Sequence, residues 1–223
     1  ISMHELAKML CKSESTINLR VKRLFDEEYI SGQYVVFDFS KLGFVSSRII
    51  IKFNQISDKE RQEFIDYLHS QKGILHLEEK ECYYDCKFLV MVKYFFLINE
   101  YWKNILKKYG RLILSREIFN YVYAYRTNQK FLYNGEIDKL WCTHSPNQVR
   151  AELSREDFLA LDYLSQNTAC TVREFALNMG IDESLARYKL KKFEKDKIIL
   201  AYVIKINYKK IGLQNADIMI SLI

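Results

Sequence analysis

The stretch that decides the fold is ELAKMLCKSESTINLRVKRLFDEEYISGQYVVFDFSKLG, residues 5–43, because it recurs without a gap as EFALNMGIDESLARYKLKKFEKDKIILAYVIKINYKKIG, residues 174–212. At this constant offset of 169, Glu5 matches Glu174, Ala7 Ala176, Glu14 Glu183, Ser15 Ser184, Lys22 Lys191, Ile30 Ile199, Lys41 Lys210 and Gly43 Gly212. Between the identities, Arg20 matches Lys189, Val21 Leu190, Arg23 Lys192, Leu24 Phe193 and Asp38 Asn207, so apolar and basic positions stay in phase. Self-similarity of this length means one domain type used twice.

Each copy reads as two helices followed by strands. Ser2 to Glu5 and Thr171 to Glu174 have the capping-box pattern, a hydroxyl followed three residues later by Glu, which opens a helix. That helix ends near Cys11 in one copy and at Gly180 in the other, where glycine suits a left-handed residue. Ser13 or Asp182 then caps a longer helix, with Ile17, Val21 and Leu24, or Ala186, Leu190 and Phe193, on its inner face. Two helices joined by so short a turn make a helix-turn-helix. Tyr29 to Asp38 and Ile198 to Asn207, rich in Tyr, Val, Ile and Phe, are each expected to fold as a two-stranded hairpin, the wing. A further helix capped by Ser154, with Phe158, Leu161 and Leu164 on one face, completes a trihelical core in the second copy. The first copy starts too late to show it; with Ile at position 1, the chain is expected to be part of a longer protein.

Between the copies the rhythm changes. Ser46 to Phe53 predicts a strand, Ser57 to Ser70 a helix with its own capping box, and Ile74 to Glu79 and Cys86 to Lys93 two strands around a polar, aromatic turn. Leu97 to Tyr109 predicts a helix stopped by Gly110, and Leu112 to Tyr125 a last strand, giving the split order βαββαβ. The expected fold class is α+β, two winged helix-turn-helix domains flanking a βαββαβ ferredoxin-like domain. The boundaries fall at 1–43 for the first copy without its first helix, 44–126 for the ferredoxin-like domain, and 127–150 for a linker holding the sole proline, Pro146. The second copy takes 151–212, and 213–223 reads as the first strand of a truncated second ferredoxin-like domain.

Composition bounds the function without choosing it. The 223 residues are 49% apolar and 14% aromatic, ample for packed cores. No run approaches the roughly 18 apolar residues of a membrane span, since even Phe88 to Ile98 is broken by Lys93. Five scattered cysteines point to reduced thiols and a cytoplasmic location, and a net charge of +6 permits a polyanionic partner. No metal, cofactor or catalytic residue is called for. His4, His69, His76 and His144 lie far apart, Cys82 and Cys86 lack a second ligand pair, and neither a phosphate loop nor a Gly-x-Ser-x-Gly motif occurs.

In order and spacing, Glu5-Leu6-Ala7, Ser13, Ser15, Arg20-Val21, Arg23-Leu24, Tyr29-Ile30, Gly32, Asp38 and Leu42-Gly43, followed by βαββαβ, resemble the Lrp/AsnC family of bacterial and archaeal transcription regulators. The resemblance covers nearly the whole chain. It implies a winged helix-turn-helix that binds double-stranded DNA and a ferredoxin-like domain that senses a small molecule, such as an amino acid, and assembles the protein as a homodimer or higher even oligomer. Two departures stand out. The tandem duplication is unusual, and the family's glycine-containing turn reads Cys82-Tyr83-Tyr84-Asp85, which keeps only Tyr84 and Asp85 as weak effector contacts.

A helix-turn-helix lays its second helix in the major groove, the first turns meeting base edges while basic and hydroxyl groups hold phosphates. The expected contacts are Ser13, Ser15, Thr16, Asn18 and Lys22 in the first copy, and Ser184, Arg187, Lys189 and Lys191 in the second, with Arg20, Arg23 and Lys192 nearer the backbone. Residues 1–43 carry six basic and six acidic side chains, whereas residues 150–212 carry twelve and nine, so the second copy should bind phosphate better. The bland reading is a solvated basic face. Three rivals remain. Tyr121, Tyr123 and Tyr125 alternate on one strand and could stack RNA bases; the winged helices could bind protein in a transcription assembly; and siroheme decarboxylases resemble the same two-domain family.

Overall fold

A computed structural model describes residues 3–79, 83–127, 140–214, 218 and 220. Among these the chain runs α1 (Met3–Met9), α2 (Glu14–Asp26), β1 (Ile30–Phe37), β2 (Val45–Phe53), α3 (Asp58–Ser70), β3 (Ile74–Glu79), β4 (Cys86–Val92), α4 (Phe96–Tyr109), β5 (Ile113–Asn120), β6 (Ala124–Thr127), β7 (Leu140–His144), α5 (Arg155–Gln166), α6 (Val172–Met179), α7 (Glu183–Lys195) and β8 (Ile199–Ile206). Two compact units result. One comprises Ile1–Val36, Arg155–Lys192 and Ala201–Ile223, and the other Phe37–Ser154 with Phe193–Leu200.

The second of these is built on a four-stranded antiparallel sheet of order β3-β4-β2-β5. Each crossover, through α3 or through α4, skips one strand, so β4 lies between β2 and β3, and β2 between β4 and β5. This is the split βαββαβ arrangement. The central strand β2 pairs from Val45 opposite Val92 to Ile51 opposite Cys86 on one side, and from Ser47 opposite Asn120 to Phe53 opposite Ile113 on the other. Alternation along β2 and β4 turns Ile49, Ile51, Phe53, Phe88 and Val90 into one core with Phe64, Ile65 and Leu68 of α3 and Ile98, Trp102 and Ile105 of α4. The Phe64 ring meets Phe53 and Tyr109 edge-on, at centroid distances of 5.2 Å each, the geometry that aromatic quadrupoles prefer. Helix α3 opens with the expected capping box, Ser57 accepting the Glu60 N–H while Glu60 accepts the Ser57 N–H.

Two expectations for this region change. The strand expected from Leu112 to Tyr125 is interrupted after Asn120 and resumes as β6, which pairs with β7. The three tyrosines therefore do not share a sheet face: Tyr121 packs on His144, whereas Tyr123 and Tyr125 stack on each other. The stretch expected as a linker contains β7, and its far end is tied back by Phe39 N–H to Thr143 O, Ser145 N–H to Ser40 Oγ and Ala151 N–H to Lys41 O. Its middle, residues 128–139, lies outside the described residues, as do Ser2, Cys82 and most of the expected strand at 213–223.

In the helical unit α5, α6 and α7 form the anticipated trihelical arrangement. Ala160, Leu161, Leu164, Phe175, Ala176 and Ala186 are buried, and Asn178 Nδ2 donates to the Tyr163 hydroxyl at 2.9 Å. Phe158, expected inside, is exposed. The wings also differ. Neither stretch is a hairpin; β1 and β8 are single unbroken strands of eight residues paired with each other. Asn207 N–H donates to Tyr29 O, and Asp38 N–H to Ile198 O, which makes the pairing antiparallel. Neither strand offers the Asn-Gly or Asp-Gly step at its middle that a two-residue hairpin turn demands.

The offset of 169 reappears in the hydrogen bonding. Those last two bonds are each other's counterparts at that offset, and so are Lys12 N–H to Ala7 O and Ile181 N–H to Ala176 O, and Glu28 N–H to Phe25 O and Lys197 N–H to Glu194 O. Left-handed backbone likewise occurs in pairs: Cys11 with Gly180, Glu28 with Lys197, Gly43 with Gly212. Local sequence differs at most of these positions, but backbone geometry does not.

Gly73, in the α3–β3 turn, tests how tightly the sheet is closed. It sits at φ +89, and a Cβ there would stand 2.8 Å from Met91 O and 2.9 Å from the Tyr101 hydroxyl. Gly180, at φ +64, has open space around it. Gly73→Ala should therefore lower the urea unfolding free energy by about 2–4 kcal/mol, combining left-handed strain and overpacking, and Gly180→Ala by only about 1 kcal/mol. Equal losses would show that the Met91 contact relaxes freely.

Candidate nucleic-acid interface

Helix α7 starts where Asp182 Oδ1 accepts the Leu185 N–H at 2.9 Å, the counterpart of Ser13 Oγ accepting the Thr16 N–H at 3.2 Å on α2. The backbone bond holds the Asp182 carboxyl below its ordinary pKa, and the same effect of Thr171 N–H lowers Glu174 at the start of α6. Such caps stabilise the folded state above the unfolded carboxyl pKa and lose that contribution as pH falls through the lowered folded value.

With Ala186 and Phe193 buried, the helical period turns Ser184, Tyr188 and Lys191 outward, with Arg187 and Lys192 on the flanks. All five are exposed. Arg187 makes a loose 3.5 Å pair with Glu183 one turn back, and neither Lys191 nor Lys192 has an ion-pair partner among the described residues. Lys189 is different. It reaches α5 and bonds Asp157 at 2.5 Å, with both side chains largely covered. The residue expected as a phosphate contact thus holds two helices together. Tyr188, which is not among the expected contacts, is 63% exposed at the centre of the strip, although an aromatic on a helix ordinarily signals core.

The equivalent strip on α2 is Ser15, Asn18, Leu19, Lys22 and Arg23, carrying two cations where the strip on α7 carries three. Leu19 occupies the place of Tyr188 and is 70% exposed. Ser13 Oγ shares hydrogen bonds with the hydroxyls of Ser15 and of Thr16, so Ser13 serves the helix cap. Arg23 pairs with Glu27 at 2.6 Å, which raises its already high pKa. Arg20, the counterpart of Lys189, is exposed and has no ion pair among the described residues. Leu24, expected inside, is 40% exposed. The two helices share geometry and differ by one cation on the strip, Asn18 standing where α7 has Arg187.

The expected effector contacts face inward. Tyr84 and Asp85 are buried; Asp85 accepts the Phe53 N–H at 2.7 Å and pairs with Lys52 at 3.0 Å. Both carboxylate oxygens are thereby engaged at the end of β2, and a ligand would have to displace them.

No protein-family model matches the chain, and no curated protein matches it. Among solved structures it is similar to the siroheme decarboxylase NirDL, at 12% identity over 91% of this chain and 59% of that chain, with a TM-score of 0.56. The co-complex of that enzyme with an iron-uroporphyrin III analogue aligns with the same coverage and TM-score at 11% identity. An AsnC family transcriptional regulator from Agrobacterium tumefaciens aligns at 15% identity over 54% of this chain and 78% of that chain, with a TM-score of 0.48. The chain thus spans about three fifths of the NirDL chain. At these identities the likeness to NirDL is one of fold, and the shorter regulator alignment carries no weight of its own.

Lys189→Gln should lower stability by about 1–3 kcal/mol by removing the ion pair that ties α7 to Asp157 of α5. Under conditions where the variant stays folded, nonspecific duplex affinity should change less than twofold, as read by denaturation and fluorescence anisotropy side by side. A large affinity loss at unchanged stability would return Lys189 to the phosphate contacts.

Proposed function

We propose that the chain is a DNA-binding transcription regulator of the Lrp/AsnC kind, made of two copies of one helix-turn-helix unit around a ferredoxin-like domain. The carrying observation is the outward strip of α7, where Ser184, Arg187, Tyr188, Lys191 and Lys192 are exposed on a helix rigidly capped at its start. A helix of this kind places hydroxyl and basic groups against base edges and phosphates in the major groove. Helix α2 is the weaker head, contributing Ser15, Thr16, Asn18, Arg20, Lys22 and Arg23. Tethering raises the local concentration of the second head once the first has bound, so a weak head still adds to joint binding where the operator spacing allows. The sheet face opposite α3 and α4, where Leu89 is part-exposed and Phe119 exposed, is the surface for homodimerisation or a higher even assembly.

A siroheme-decarboxylase-like enzyme is the second reading, favoured by a fold likeness that covers nine tenths of the chain. Visible absorbance separates the two: a tetrapyrrole band on the purified chain, or one gained on adding siroheme, supports the enzyme.

The regulator should bind a labelled random duplex at low salt, with log affinity falling linearly against log salt. The Arg187→Ala, Lys191→Ala double variant should make that slope shallower by about one unit per lost phosphate contact, close to two in all. An unchanged slope, or no binding by the unaltered chain, would overturn the reading.

A further inference from the structure

The unit Phe37–Ser154 contains a cleft of about 270 Å³ that the DNA-binding reading leaves unused. Its apolar wall is Phe44, Val45, Phe95 and Val122, and Arg150 and His144 also line it. Three hydrogen bonds already described, from the backbone at Phe39, Ser145 and Ala151, stitch the 39–45 and 143–151 segments together and fix this wall.

Arg150 lies beside Gly43. Gly43 has φ +78, and a Cβ there would lie 3.4 Å from Arg150 Cδ and 3.5 Å from Nε, ordinary contact distances, so the arginine chain runs directly beside this residue. The counterpart Gly212, at φ +74, has nothing within 4 Å, so this neighbour belongs to Gly43 alone of the pair. Arg150 makes no ion pair or hydrogen bond among the described residues. His144 is buried with its Nε2 2.8 Å from Ser46 Oγ, and burial depresses its pKa to about 4, so it stays neutral near pH 7. The described lining contains no Asp or Glu. Apolar walls of one-ring size, one free guanidinium and no acid make a definite chemical preference.

We propose that this cleft binds a small apolar carboxylate about the size of a single aromatic ring, its carboxylate on Arg150 and its apolar body against Phe44, Val45, Phe95 and Val122. An α-amino acid is disfavoured, because its ammonium would find no acidic partner. The site is separate from the Tyr84–Asp85 turn.

Isothermal titration of the DNA-free chain with phenylacetate, phenylacetamide and phenylalanine tests the proposal, and its outcome is independent of whether α7 binds DNA. Phenylacetate should bind with a Kd below about 1 mM, and the amide and the amino acid each at least about tenfold more weakly. Arg150→Gln, an exposed substitution, should bring acid and amide to equal affinity. Val122→Trp, in the exposed β5–β6 connection, should abolish binding of all three. The proposal is overturned by absence of phenylacetate binding, by equal affinity for acid and amide in the unaltered chain, or by selectivity that survives Arg150→Gln.

Discussion

Strand β1 finds its partner in β8, at the far end of the chain, and this pairing is the constraint on which the rest depends. Backbone N–H and C=O groups must be satisfied, and an eight-residue strand without a turn cannot fold back on itself to do so. The bonds from Asn207 to Tyr29 and from Asp38 to Ile198 supply what a local hairpin would have supplied. Because the two strands are repeat counterparts, one pairing serves both copies, and neither wing is complete in its own copy. The cost is sequence separation, since closing so long a loop slows folding more than it weakens the final state.

Sharing a backbone has left the two copies free to diverge in their side chains. Left-handed backbone at matching positions, the same cap bonds and the same helix lengths recur at α2 and α7, yet the outward strip carries three cations on α7 and two on α2, where Arg23 is paired with Glu27. Lys189 and Arg20 show how this works at a single position. In α7 the cation pairs with Asp157 of α5 and becomes part of the packing; in α2 the corresponding arginine is exposed. The repeat therefore transmits geometry, while what a cation at equivalent positions does is set by what each helix packs against.

The sheet unit shows a similar separation of scaffold and site. Its core is closed by apolar alternation on β2 and β4 and by Phe64 meeting two rings, and nothing in that packing requires Arg150 or His144. These come from the segment that returns along the 39–45 stretch after β7. A cleft made this way is absent from any contiguous motif, which explains why the four histidines, judged only by their spacing, suggested nothing.

The sequence by itself determined the elements: the 169-residue offset, the capping boxes at Ser57 and Thr171, the left-handed stop at Gly180 and the βαββαβ order are all properties of near neighbours or of periodicity, and local hydrogen bonding and side-chain alternation express them directly. Only the tertiary structure decided that the wings pair with each other, that the strand after Leu112 breaks at Tyr121, that Lys189 and Asp85 turn inward to fixed partners, and that Arg150 comes to rest on Gly43. Each of these depends on which distant group is near enough to satisfy a charge, a backbone donor or an apolar surface, and such proximity is created by packing rather than by residue order.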